Sequence, residues 1–223
     1  MPFLIIALVG LFFMTVLLVV VPMAILITAT NNLFVLPRHI WRVATNRRLR
    51  QNHALEHATL NVLAERAMEP VDGFSREDGF FVRGLLSDHD VLSAATEGLE
   101  RLQNGEHRLA IHPRCGTSRA VGSLLASVAA ILVLLGWGRL DLWTVLLAVV
   151  AIGLATPPMA RLAQRFLTTD SRMGEVAILD VHWAPRGPAL MSQLALGRAP
   201  MESFFVETGI VGTVRVESSR RLS

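Results

Sequence analysis

The chain has 223 residues, 52% of them hydrophobic, and 21 basic against 18 acidic side chains give a net charge of +3. Every basic residue is arginine, and tyrosine is absent. No basic patch is interleaved with aromatic residues, which argues against a nucleic-acid partner, and a single cysteine excludes an intrachain disulfide.

Residues Phe3 to Leu36 carry no charge, and Phe3 to Ile27 is almost unbroken Leu, Val, Ile, Phe and Met. A spanning helix needs roughly 20 apolar residues, so this run predicts a membrane segment. It lacks a basic start and its apolar core is too long for a secretory signal, which makes it a retained anchor. Either a single span or a hairpin folded near Pro22 fits its length. Ala120 to Trp137 and Leu142 to Pro157 are two further uncharged runs, separated by Gly138-Arg139-Leu140-Asp141.

Arginine crowds the ends of these runs: Arg38, Arg42, Arg47, Arg48 and Arg50 follow the first, Arg114 and Arg119 precede the second, and Arg161, Arg165 and Arg172 follow the third. The excess of basic residues on cytoplasmic flanks then predicts an outside N-terminus, a cytoplasmic segment 38–119 and a cytoplasmic tail, in the inner (cytoplasmic) membrane. The same arginines suit anionic lipid headgroups as the surrounding partner.

Between Arg47 and Arg119 the pattern changes. Apolar Ala54, Leu55, Ala58, Val62 and Leu63 without proline or glycine predict a helix over 52–67. Pro70, Asp72 and Gly73 end it, and 74–82 reads as a hairpin turning at Glu77-Asp78-Gly79. Ser87 with Asp88 and Asp90 predicts a capped helix start, and Asn104-Gly105 closes that helix. His107 to Ile111 alternates like a strand. Beyond Pro157-Pro158, Met159 to Phe166 reads as an interfacial helix, 176–183 and 204–216 as strands, and 187–200 as a linker. The tail strands either complete the sheet of the insert or form a separate lobe.

The expectation is thus a multi-pass α-helical membrane protein of about three transmembrane helices, with a small cytoplasmic α+β insert and a short β-containing C-terminal tail. Its parts are a transmembrane segment at 1–37, the insert at 38–119, a transmembrane hairpin at 120–158, and an interfacial helix with β-rich tail at 159–223.

Two polar clusters carry the chemistry. They are His53-Ala54-Leu55-Glu56-His57 and His112-Pro113-Arg114-Cys115-Gly116-Thr117, holding three of the seven histidines and the one cysteine. On a helix, residues four apart lie about 40° apart around the axis, so His53 and His57 can share an ion. Glu56 lies beside them, and H-x-x-E-H is the inverted zincin pattern, with the glutamate as general base. A catalytic zinc takes three protein ligands and keeps one position open; Cys115 or His112 could supply the third. The bland alternatives are a helix whose histidines hydrogen-bond in a partly buried core, and a turn that caps the next helix.

Residues 51–118 also carry a family resemblance. The two blocks resemble those of the YqhQ-like bacterial membrane proteins, H-G-A-E-H-K and H-P-R-C-G-T-S. They are more similar still to a related family of unknown function with N-H-A-L-E-H-A, a G-E-H-R-L-A-I-H-P-like segment and C-G-T. Leu55 and Ala58 depart from the YqhQ-like block. The resemblance implies a membrane protein with a metal site, and it supplies no substrate.

His39, His89, His107 and His182 have no donor partner at ligand spacing. No G-x-S-x-G, G-x-G-x-x-G or G-x-x-x-x-G-K-[ST] occurs, which argues against serine hydrolysis and the common nucleotide loops. Two function classes follow. One is a membrane-bound hydrolase with zinc or another divalent metal on His53, His57 and Cys115 or His112, with Glu56 as base, acting on a peptide or lipid at the cytoplasmic face. The other is a non-catalytic scaffold or assembly factor whose metal, held by His53, His57, His112 and Cys115, is structural.

Overall fold

The computed structural model describes residues 8–12, 20–68, 71–133, 142–184 and 202–211. The chain divides into two compact units, one made of 1–40 and 116–160, the other of 41–115 and 161–223.

The first unit is helical. Helix α1, Val21–Thr45, begins in it and runs on into the second unit. Later in the chain come α4, Gly116–Ile131, and α5, Leu142–Ala163. Polar contacts tie these apolar helices: Asn32 Nδ2 donates to Ser127 Oγ at 3.2 Å. A Cβ on Gly122 would meet Thr156 Cγ2 at 3.3 Å, so glycine permits the close approach there.

This unit corrects the expected architecture. Among the described residues one helix, Trp143–Thr168, is long and apolar enough to cross a bilayer. Helix α4 is apolar but only 16 residues long. Helix α1 has 25 residues but carries Thr28, Thr30, Asn31, Asn32, Arg38 and Arg42. The described part of the run from Ala120 forms α4 to Ile131 and two further helical residues, and 134–141 lie outside the described residues, as do 1–7 and 13–19 of the first apolar core. Among its described residues the protein is an α+β chain with one candidate span, which replaces the expected multi-pass architecture of about three. The inferred multi-pass orientation falls with it. The choice between one span and a hairpin in the first run depends on residues 13–19, which lie outside the described residues, as do the 138–141 loop and the 187–200 linker.

The second unit holds helix α2, Arg47–Glu65; strands β1, Asp72–Ser75, and β2, Gly79–Gly84; helix α3, Asp88–Gln103; and strands β3, Val176–Trp183, and β4, Glu202–Ile210. The four strands form one antiparallel sheet in the order β1-β2-β4-β3. The tail therefore completes the sheet of the hairpin. Asn46 caps α2 by accepting from Leu49 N, and Ser87 and Asp90 form a reciprocal capping box on α3. Each cap satisfies amide groups that the first turn of a helix leaves without partners.

Alternation along β2 and β4 sends Phe80, Val82, Phe204 and Val206 into one core with Leu55, Ala58, Leu63, Val91, Ala95 and Leu102 from the two helices. A Cβ on Gly98 would stand 3.2 Å from the Ala58 backbone, so α2 and α3 pack almost backbone to backbone. Helix α2 is covered on most sides, which is why its polar Gln51, Asn52, Glu56, His57 and Thr59 are buried beside its apolar residues.

Two local expectations also fail. His107–Ala110 is a 3-10 turn, not a strand. Side chains of α2 claim the carbonyls a ladder would need: Asn61 donates to Leu109 and Ile111, and His57 to Ala110. The expected interfacial helix at 159–166 is instead a continuation of α5 through Pro157 and Pro158, ending in a π-turn at Gln164–Thr168.

Asn52 clamps this unit together. Its Nδ2 donates to the carbonyls of Arg76 and Glu77 in the hairpin turn, and its Oδ1 accepts from Thr208 Oγ1 on β4. Asn52→Ala leaves the buried Thr208 hydroxyl without its acceptor and the two turn carbonyls without their donor, and is expected to cost about 1–3 kcal/mol. Urea unfolding of wild type and variant measures it, with an unchanged midpoint as the contrary result.

Candidate metal centre

His53 and His57 stand one turn apart on α2, with ring centroids 4.3 Å apart. Each ring is held from behind by a backbone carbonyl. His53 Nδ1 is 2.9 Å from Thr168 O and His57 Nδ1 is 2.7 Å from Ala110 O. A carbonyl only accepts, so each Nδ1 carries the proton and each Nε2 presents a lone pair. This is the arrangement that orients metal-binding imidazoles.

The lone pairs converge on Cys115. His53 Nε2 lies 3.2 Å from Cys115 Sγ, and the candidate ligand atoms of His53, His57 and Cys115 all fall within 4.8 Å of one another. Two ligands on one tetrahedral zinc, at about 2.05 Å for nitrogen and 2.3 Å for sulfur, stand roughly 3.5 Å apart. The three donors therefore need only small shifts to close on an ion. His57 Nε2 is buried and has no hydrogen-bond partner, an expensive state for a polar atom unless something binds it. Burial, and next the neighbouring His53, push the His57 pKa well below its ordinary value. The ring is accordingly neutral, as a ligand must be.

His112 is buried nearby, its ring centroid 5.8 Å from that of His57, but it is not one of the three clustered donors. Its backbone is pinned at both ends by one side chain: Gln164 Oε1 accepts from His112 N, and Gln164 Nε2 donates to His112 O. Cys115 N in turn reaches His112 O across the Pro113-Arg114 turn at 3.4 Å. A strap from 107 to 115, fastened by Asn61, His57 and Gln164, thus carries the thiol to the two histidines.

Glu56 faces β1. Ser75 Oγ donates to its Oε2, and a Cβ at position 73 would lie 2.5 Å from its Oε1, so Gly73 makes room for the carboxyl. Burial pushes its pKa up to about 7, opposed by the nearby His53. A carboxyl poised there can both accept and give a proton near neutral pH.

The structure thus brings together His53, His57 and Cys115, sets Glu56 beside them, and leaves His112 at the margin. Sequence reasoning missed the supports Ser75, Gly73, Asn61, Gln164 and the Thr168 carbonyl. Only Asn61 gave a signal, standing one further turn along the face of His53 and His57.

A family model described as "Domain of unknown function (DUF6391)" matches residues 48–181, and the chain belongs to that family. The match contains all five sequence-derived site residues. An uncharacterized protein of Picosynechococcus sp. (strain ATCC 27264 / PCC 7002 / PR-6) is 39% identical over 89 residues, which cover 35% of this chain and 43% of the relative. The chain thus spans less than half of that relative's length. No solved structure matches.

In the metal-free protein burial raises the Glu56 pKa to about 7 from the 4.5 of a solvated glutamate. The folded state binds the extra proton, so this group's stabilising effect is full below about pH 4.5 and is lost as pH rises through about 7. Glu56→Gln keeps the shape and removes the charge. It should match wild type near pH 4.5 and exceed it by about 3 kcal/mol at pH 8 in urea titrations of chelator-treated protein.

Proposed function

We propose that the protein is a metal-dependent hydrolase working at a membrane surface, with zinc or a similar divalent ion on His53, His57 and Cys115 and with Glu56 as general base. One observation carries this reading: the buried, unpartnered Nε2 of His57 shares a small space with His53 Nε2 and Cys115 Sγ, while both Nδ1 protons are occupied elsewhere. Three donors leave one of four tetrahedral positions for substrate, which favours catalysis over a closed structural site that would also engage His112.

The ion would supply Lewis acidity and lower the pKa of water in the open position. Glu56 accepts the proton of the attacking water and returns it to the leaving group, while Ser75 fixes one of its oxygens. His53 and His57 keep their tautomers through Thr168 and Ala110 and hold their lone pairs in place.

Thr168 ends the one described helix that is apolar enough to cross a bilayer, and Gln164 lies one turn before it. The supports of the metal centre therefore belong to the last turn of the candidate span. Arg161 and Arg165 on the same stretch suit anionic headgroups, and basic residues on that flank favour the cytoplasmic side of the inner membrane. A scissile ester or amide of a lipid or membrane-held peptide would meet the centre there. The YqhQ-like resemblance of the two blocks implies a metal site in a membrane protein, which is compatible with this reading.

Metal analysis of purified protein tests this. Wild type should carry about one divalent ion per chain, and His57→Ala and Cys115→Ala should lose most of it. Glu56→Gln should retain the ion and lose 10²–10⁴-fold in hydrolysis of peptide or phospholipid substrates presented in vesicles. Metal-free wild type, or variants that keep a full complement, would falsify the site. Undiminished hydrolysis by Glu56→Gln would remove the base and leave the scaffold reading.

A further inference from the structure

The sheet has a second face, turned away from α2 and α3. The residues of β2 and β4 that alternate with the core, Phe81, Arg83, Ser203 and Phe205, belong to it, and all four are buried. Phe81 and Phe205 pack ring against ring at 4.8 Å. Arg83 and Ser203 are directly paired across the two strands, so their Cβ atoms are about 4.5–5.5 Å apart on one face.

This polar pair is left with unused donors. The Arg83 side chain is 9% exposed, and its Nη2 pairs with Asp72 Oδ2 at 2.8 Å. Its Nε and Nη1 are buried with no hydrogen-bond partner, and the same holds for Ser203 Oγ. Asp72, on the neighbouring β1, is 62% exposed and reaches one nitrogen of the fork. Buried guanidinium nitrogens without acceptors are rare because the lost solvation is not returned.

The unmet groups share one chemistry. Nε–H and Nη1–H can only donate, and a serine hydroxyl can donate, so the site lacks acceptors and carries a positive group. Arg presents its donors in a fork that fits oxyanions. The donors do not all lie along one edge of the guanidinium, and Ser203 adds another from the next strand. A phosphate brings more acceptor oxygens and more negative charge to one of these arginine donors and the serine than a carboxylate does.

We propose that Arg83 and Ser203 form a phosphate-binding site on the second face of the sheet, filled by the free ion or by a phosphate monoester. It lies on β2 and β4, apart from the His53, His57 and Cys115 cluster on α2 and its strap. The bound group accepts from Arg83 Nε or Nη1 and from Ser203 Oγ, and Asp72 keeps the guanidinium oriented.

Calorimetric titration of the purified full chain with inorganic phosphate, glycerol phosphate and acetate tests it, with His57→Ala as the background so that phosphate at the metal centre does not contribute. Saturable phosphate binding is expected, about tenfold weaker in Ser203→Ala and abolished in Arg83→Gln. Tighter binding of glycerol phosphate than of inorganic phosphate assigns the esterified form, and the reverse order assigns the free ion. Should Arg83→Gln fail to fold, the serine variant alone decides. No saturable heat with either phosphate, equal affinity in wild type and Ser203→Ala, or binding of acetate alone would each overturn the assignment, the first leaving ordered water on the arginine.

Discussion

Two hydrogen bonds from imidazole to peptide carbonyl set the chemistry of this molecule. Thr168 O and Ala110 O each take an Nδ1 proton, and by doing so they decide which nitrogen of each histidine is left as a donor of electrons. Neither carbonyl lies close in sequence to the histidine it holds. One comes from the end of an apolar helix more than a hundred residues away, the other from a short 3-10 turn. The centre is therefore a property of the assembled second unit, and helix Arg47–Glu65 alone would leave both rings free to rotate.

The same dependence explains why so much of that helix is buried and polar. Asn52 clamps the hairpin turn and β4, Glu56 sits against β1, His57 and Asn61 take the strap, and Gln51 reaches Arg172 O at 2.7 Å. Hydrogen bonds of this kind add little net stability one by one, but breaking any of them leaves a buried group unsatisfied. The cost of error fixes one arrangement.

Local pattern was legible in the chain where it arises from near neighbours. The spacing of His53 and His57, the Ser87 cap and the turn at Glu77-Asp78-Gly79 follow from contacts within a few residues, and each appears in the structure. The clustering of His53, His57 and Cys115 was open to expectation because few residue types offer metal-ligand atoms, whereas His112, expected beside them, falls outside the cluster. What could not be read depends on partners distant in sequence. His107 to Ile111 alternates like a strand, yet Asn61 and His57 use its carbonyls, and no periodicity reports a competitor more than forty residues away. The role of Gln164 is likewise invisible in a run that looks merely amphipathic. Counting uncharged residues predicted about three spans, whereas among the described residues one helix, Trp143–Thr168, has both the length and the sustained apolar character to cross a bilayer.

The strand order has a consequence for biosynthesis. Strand β2 pairs with β4, and more than a hundred residues, including the apolar helix Trp143–Thr168, separate them in the chain. At ordinary translation speeds β2 waits roughly 10 s after its own synthesis before its partner exists. During that interval Phe80 and Val82 line an open edge, the kind of surface that pairs with the wrong strand. Helix Arg47–Glu65 and helix Asp88–Gln103 are made on either side of β2 and cover its core face early, but only the last strand can close the ladder. The nascent chain thus spends its most vulnerable period with both histidines and the cysteine already made, and with the sheet that supports them still missing its central seam.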